Sequence, residues 1–463
     1  MPAEPGWRRW LISTEARNRP AITLPSLSDP DPLAGRIAAA LALSPADATE
    51  ILCFEGWSAS TTTQRRQDSG PIALRAVTTV HVTLGRRRGC FVVPGNGAND
   101  LADAVRLALA DARAAPPRQG ALEASATPAA GAPPELFDPA IEALTPDAAR
   151  SWLFSHTEKG EWARLAWSVA RWVGATSQGG KLSAGVTGAF LNVQSGRGAS
   201  AGTASSAART LEGLDAGRVV ARARARVAPP GLEPGAPQPE ENVVLAPEAA
   251  ALLLAELRSL WLAGESLPSA SAELSVTNDA LSPEGLPWPT LAPGPEAIGP
   301  LEVVTAGRFQ ALPAFSQAST CPLSTGAEDA LHHLFVQPGG ASEEELLAAA
   351  EGGLWVAEIE SAAPLTPGSP QFLARPRGCR RIREGQLAEP VPVALWQDDL
   401  FRVLRSLTGR GSETVLLPLD RELSGGLRCP ALGIARGGLW LPIEGGAGPE
   451  QPESGAAAQD SPA

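Results

Sequence analysis

The chain has 463 residues, a formal net charge of −12 and a pI near 5.0: long enough for two or three domains, and without an overall electrostatic footprint for nucleic acid. Its 47 Gly and 44 Pro promise many turns but stay below the level at which a whole chain reads as disordered. No long apolar run predicts a membrane span, the first residues lack the apolar core of a signal peptide, and five scattered Cys without C-x-x-C spacing indicate reduced thiols and a cytoplasmic setting.

From the N-terminus, Asp31–Leu43 (DPLAGRIAAALAL) predicts a helix, and Ser44–Asp47 offers a cap for another. Ile51–Phe54 reads as a short strand. Leu74–Leu84 (LRAVTTVHVTL) alternates as a strand does, turns at Arg86–Gly89 and returns as Cys90–Val93. Asn99 caps a helix to Ala114, with Leu101, Val105, Ala108 and Leu109 on one face. Ala114–Glu135 is a Pro/Ala/Gly-rich linker. Beyond it Thr145–Ser151 predicts a helix, Glu161–Val173 (EWARLAWSVARWV) reads as amphipathic, Leu182–Ser195 as strand, and Gly213–Val227 as containing a second strand. Ser195–Ser206 lacks the spacing and the Lys of a phosphate-binding loop and reads as an ordinary loop. The basic runs Arg86–Arg88 and Arg222–Arg226 (RARAR) read as solvated faces, the second as the outer side of a strand.

A second Pro/Gly-rich segment, Ala228–Glu241, leads into Glu241–Glu265 (ENVVLAPEAAALLLAELRSLWLAGE), the stretch around which the rest is organised. Val243–Leu245 predicts a strand, Pro247 suits a first helical position, and Glu248 suits the positive end of the dipole. Leu253, Leu257, Leu260 and Trp261 recur at the spacing of one buried helical face. On periodicity alone this is a core helix. Glu273–Thr277 then predicts a strand, Glu284–Pro287 an exposed loop, Leu301–Thr305 a strand and Gly307 a turn. Ser342 and Glu345 form a capping box, with Glu343–Glu345 at the positive helix end. Gly353 closes that helix, Leu354–Glu360 is a strand, Gly385 a turn, Trp396–Leu407 a helix and Cys429–Ile434 a strand. The tail from Gly446 is disordered by composition.

VVLAPEAAALLLAE resembles the strand–helix signature of the TldD/PmbA family, the modulator-of-DNA-gyrase proteins that include zinc metallopeptidases. In peptidase-type members the helix continues as His-Glu-x-x-x-His, two zinc ligands and a general base. In register from Val243, those positions are Ala255, Glu256 and Leu260, so only the Glu is kept. Ala and Leu carry no lone pair, and a hydrolytic zinc site needs about three protein ligands. AFLNVQSGRG, Glu284–Pro287 with the hairpin after it, His332–Gly339, the Gly385 turn and Cys429–Ile434 are similar to further family segments, and the strand–turn–strand–helix before residue 115 matches as a pattern. The resemblance implies an α+β fold: an N-terminal α/β domain over 1–115, a linker and central mixed region over 116–241, a C-terminal, largely antiparallel β domain with a few helices over 242–445, and a tail over 446–463.

Other metal candidates are sparse. His332 and His333 are adjacent, so on a strand they point to opposite faces. Cys429 stands in Arg-Cys-Pro, where zinc-type members carry Cys-Gly-Lys. His81 and His156 have no partner at ligand spacing, and no G-x-S-x-G occurs. The resemblance therefore implies a TldE-type subunit that holds no cofactor and pairs with a TldD-type zinc subunit around a chamber for unfolded or short peptides. Glu256, Glu284, Gly285 and Pro287 are its peptide-contacting candidates, with strand addition as the binding mode. Two other functions stay open: a metallopeptidase with relocated ligands, His332 or His333 with Cys429, and a stand-alone peptide-binding or scaffold protein. Neither nucleic acid nor membrane is expected as a partner.

Overall fold

The computed structural model describes residues 27, 29–63, 75–117, 137–229, 231–261, 267–279, 282, 284–286, 300–310, 333–419 and 425–442. The fold is α+β, and its described strands form three sheets. The first has six antiparallel strands: β1 (Ala48–Thr62), β2 (Arg75–Leu84), β3 (Arg87–Pro94), β4 (Trp162–Thr176), β5 (Lys181–Ser195) and β6 (Gly202–Ala208), in the order β3-β2-β1-β4-β5-β6. Because β1 pairs with β4 over their length, the sheet crosses the division expected at residue 115. The first and central regions are one sheet.

Helices cover one face of that sheet. α1 (Pro30–Ala42) and α2 (Ala98–Ala114) bury Leu33, Ile37, Leu101, Val105 and Ala108 against Ile51, Cys53, Val80 and Val82. α3 (Pro139–Glu142), α4 (Pro146–His156) and α5 (Ala216–Ala225) close a second cluster around Trp167, Leu165 and Leu191. Two glycines let helices approach strands closely. A Cβ on Gly89 of β3 would sit 2.2 Å from the Ala108 carbonyl of α2, and one on Gly202 of β6 would sit 2.1 Å from the Ala223 carbonyl of α5.

The C-terminal half is built on α6 (Pro247–Glu256) and the single turn α7 (Arg258–Trp261). Around them lies a sheet of β7 (Val243–Leu245), β8 (Val276–Asn278), β9 (Leu301–Thr305), β10 (Arg308–Phe309), β11 (His333–Val336), β12 (Leu354–Val356), β15 (Arg380–Arg383), β16 (Gln386–Pro390), β18 (Leu407–Pro418) and β19 (Gly426–Ile434). A third, antiparallel sheet holds β13 (Glu358–Pro364), β14 (Gln371–Arg377), β17 (Val393–Asp399) and β20 (Leu439–Pro442). α8 (Glu343–Ala349) and α9 (Leu400–Arg405) complete the described helices. α6 packs between β13 on one side and β18 and β19 on the other, so it is buried nearly all round, as a helix apolar on every face must be. The core beyond it includes Trp396 stacked on Trp440 at 4.9 Å, with Phe372 edge-on.

Several sequence expectations change. Glu161–Val173 is strand β4 rather than a separate amphipathic element, because its alternate residues face two different cores: Leu165, Trp167 and Val169 on one side, Ala170 and Trp172 on the other. A strand buried on both faces reads as a near-continuous apolar run. Gly213–Val227 is helical, capped by Asp215, whose Oδ1 accepts the Arg218 amide at 3.2 Å. Trp396 lies on β17, and the helix after it begins only at Leu400, with Asp399 as its cap. Ser44–Asp47 precedes a strand, Gly97 rather than Asn99 caps α2, and β6 occupies the end of the Gly/Ser tract. Gly85, at φ +56, makes the β2–β3 turn, and Arg87 and Arg88 belong to β3. The second Pro/Gly segment is tied down: Arg381 reaches Glu241 and the Ala236 carbonyl, and the Gly235 amide donates to Pro390.

Gly89→Ala and Gly202→Ala should each destabilise the protein by about 1–3 kcal/mol, since the added methyl meets helix backbone that cannot rotate away. Gly35→Ala, which meets nothing within 4 Å, is the matched control. Thermal unfolding of the three variants checks this; equal midpoints would remove close helix–strand approach as the reason for glycine there.

Candidate functional site

The positions that the resemblance aligns with the family's metal motif lie at the C-terminal end of α6 and in α7. Ala255 is partly buried against the core, Leu260 is 7% exposed inside it, and Glu256 is the last residue of the helix, half-buried. The helix breaks at Leu257, so positions 255, 256 and 260 do not share one continuous helix. Among the described residues no group of three His, Cys, Asp or Glu side chains can hold a metal ion. His332 and Pro287 lie outside the described residues. His333 is fully buried on β11, opposite Gly426 of β19 in parallel register, with its amide donating to Asn278 Oδ1 at 2.9 Å. Cys429 stands three residues further along β19, hence on the opposite face and about 10 Å along the strand. The two cannot share an ion. Burial pushes the Cys429 thiol well above its ordinary range and pulls His81 down to about 3, as expected of packed side chains. His156 is held against Trp152 at the end of α4. These residues do not fit a zinc centre.

At the other end of α6 the chemistry is richer. Glu248, in the first helical turn, is 2% exposed. Its Oε1 lies 3.0 Å from Arg226 Nη1 and 3.1 Å from Arg222 Nη2, and accepts the Ser205 amide at 3.3 Å. Arg226, itself 3% exposed, also donates to the Thr203 carbonyl and stacks over Trp355 at 5.1 Å. Arg222 donates to the Ser205 carbonyl, and burial lowers its pKa. The RARAR run is therefore not a solvated face. On a helix, residues 222 and 226 are four apart and share one side, while Arg224 turns away to Glu161 at 2.8 and 2.9 Å. Half-buried Glu358 is near this group; desolvation pushes its carboxyl up to about 7, against the pull of Arg377, and Glu248 raises it further.

Beside this network a cleft of about 480 Å³ opens between the two halves. β6 and α5 form one wall; β18, Arg428 of β19 and the loop at Glu284–Gly285 form the other. The Arg209 guanidinium crosses from the N-terminal half to the Ser282 and Gly285 carbonyls, the latter at 2.7 Å, and fixes that loop. Gly285 is required there, for a Cβ would come within 2.6 Å of His333 Nδ1. Of the sequence candidates, Glu284 and Gly285 line the cleft and Glu256 is not among its lining residues. Among its described residues Glu284 is exposed, and Gly285 and Leu286 are buried. Sequence reasoning missed Arg222, Arg226 and Glu248 as a unit. The available signal was a carboxylate in the first turn of an apolar helix and two Arg at four-residue spacing.

The class this architecture defines is a two-part α+β protein with an interdomain cleft and a buried core helix. Residues 318–436 match the model of the PmbA/TldA metallopeptidase C-terminal domain. Its fold is similar to TldE from Thermococcus kodakarensis at 16% identity and TM-score 0.66, over 87% of this chain and 98% of that one. It is also similar to a candidate modulator of DNA gyrase from Thermotoga maritima (16%, TM-score 0.64, 88% and 99%) and to another from Bacteroides thetaiotaomicron (15%, TM-score 0.58, 88% and 99%). A search of curated proteins gives no match. No helix among the described residues is long and apolar enough to cross a membrane.

Glu248→Ala strands two buried guanidinium groups and should cost about 3–5 kcal/mol in chemical denaturation. A cost no larger than that of an ordinary surface change would mean the Arg pair is satisfied without it. For Glu358 the sign follows from its raised folded pKa: the folded state binds the proton more tightly, so this group's contribution is full below the unfolded value near 4.5 and is lost as pH rises through about 7. Glu358→Gln should flatten stability against pH between those values, read from urea midpoints at pH 4.5 and 7.5.

Proposed function

We propose that this chain is the TldE-type, non-zinc-binding subunit of a cytosolic heterodimeric zinc metallopeptidase that acts on unfolded or short peptides. One observation carries the reading: Ala255 and Leu260, which the resemblance aligns with the two ligand positions of the family's metal motif, pack against the core, where neither can bind an ion. The likeness to TldE over nearly the whole of both chains supports it. On this reading the partner supplies zinc and the attacking water, while this chain supplies wall and binding surface. The interdomain cleft also favours a second reading, a peptide-binding protein that works alone. The relocated-ligand reading loses support from the opposed faces of His333 and Cys429.

Co-expression with a partner carrying His-Glu-x-x-x-His should give an equimolar complex with zinc bound to the partner and peptidase activity absent from either chain alone. Glu256→Gln should leave that activity within about two-fold of wild type, because a residue outside the reacting atoms does not stabilise the transition state. A loss as large as that from removing the partner's zinc ligands sinks the assignment; no complex with any such partner leaves the stand-alone reading in its place.

A further inference from the structure

We propose that the interdomain cleft is a carboxylate site, which takes the free C-terminal carboxylate of a short extended peptide between Arg218 and Arg428. The inference rests on the peptide-handling reading above and gives it a place and a chemistry.

The cleft's volume of about 480 Å³ suits a ligand of a few residues. In a chain of net charge −12, its lining holds four Arg against two acids. Two of the arginines are committed to the scaffold, Arg209 to loop carbonyls and Arg222 to Glu248. One of the acids, Asp215, is spent on capping α5. That leaves Arg218 and Arg428 on opposite walls, with Arg428 Nε donating to Thr414 Oγ1 at 2.7 Å and its Nη1 directed at Glu284. Arg218 pairs with Glu413 at 2.7 Å and Arg428 with Glu284, acids whose side chains are 69% and 64% exposed. Pairs this exposed are weakly held. A ligand carboxylate presents the same oxygens to the same forks and can replace either acid, two guanidinium groups to one anion.

The walls suit an extended main chain. β6 pairs only with β5 among the described strands, and β18 only with β19. On the outer edge of β6 the Ser205 amide and carbonyl point to Glu248 and Arg222, and the Thr203 carbonyl to Arg226. Alternation by two sends the amide and carbonyl of Ala207 the same way, into the cleft it lines, where no described residue takes them up. A peptide laid there finds the main-chain amide and carbonyl of Ala207 and the arginines at its end.

Fluorescence anisotropy on the full chain tests this with fluorescein-labelled trialanine, ending either in a free carboxylate or in an amide. The acid should bind at least about ten-fold more tightly, as charge-assisted hydrogen bonds require. Arg218→Met and Arg428→Met should each erase most of that preference. Glu284→Gln and Glu413→Gln, surface changes that remove the competing acids, should tighten binding of the acid and leave the amide unchanged. Equal binding of the two peptides, absence of binding by both, or an acid preference untouched by all four substitutions overturns the site. Loss of the preference in a chain that still forms the active zinc complex removes the carboxylate anchor alone; a preserved preference without any zinc partner removes the subunit assignment alone.

Discussion

The position of one half of this protein on the other depends on a single buried carboxylate. Glu248 has almost no contact with water, and a charge placed there is costly unless it is paired and hydrogen-bonded. Both pairing groups, Arg222 and Arg226, come from α5, which rides on β6 of the first sheet. α5 therefore cannot shift by a turn, nor the six-stranded sheet rotate over the C-terminal sheets, without stranding three charges. The arrangement is reinforced from the C-terminal side, where Arg380 Nη1 donates to the Arg226 carbonyl at 3.1 Å and Trp355 lies under the Arg226 guanidinium. The cleft is a consequence: it opens further along the same β6 edge, where the arginine–glutamate seal ends.

α6 offers poor surroundings for a metal ligand at position 255 or 260. Its neighbours on both sides are apolar, and Leu253, Leu254, Leu257 and Leu260 are packed among them. An imidazole at 255 or 260 would bring polar nitrogen atoms into that environment, with neither an ion nor a third ligand to hold them. At this end the helix fills the space between β13 and β19. Glu256 sits at the helix end, where its carboxylate is half in water.

Much of this was legible. The strand–Pro–helix start at Val243–Glu248, the capping box at Ser342 and Glu345, the β2–β3 hairpin and the last long strand are local patterns, and each is found in place. The loop at Glu284–Gly285 was singled out and does line the cleft. What failed was any pattern with two meanings. RARAR has the period of a strand and, at every fourth residue, that of a helix; only the position of Glu248 decides between them. EWARLAWSVARWV was opaque because it serves two cores at once. The cleft could not be read at all, since its walls bring together residues from near 207, 218, 284, 415 and 428.

The two ends of α6 do separate jobs, and the distance between them matters. Glu248 and Ala255 are seven residues apart, about 10 Å along the axis at 1.5 Å per residue. Arg222 bridges Glu248 to the cleft, so the cleft belongs to the helix's first turn, whereas the degenerate metal motif belongs to its last. A change at the last turn therefore imposes nothing on the first, because the two ends of the helix draw on different residues.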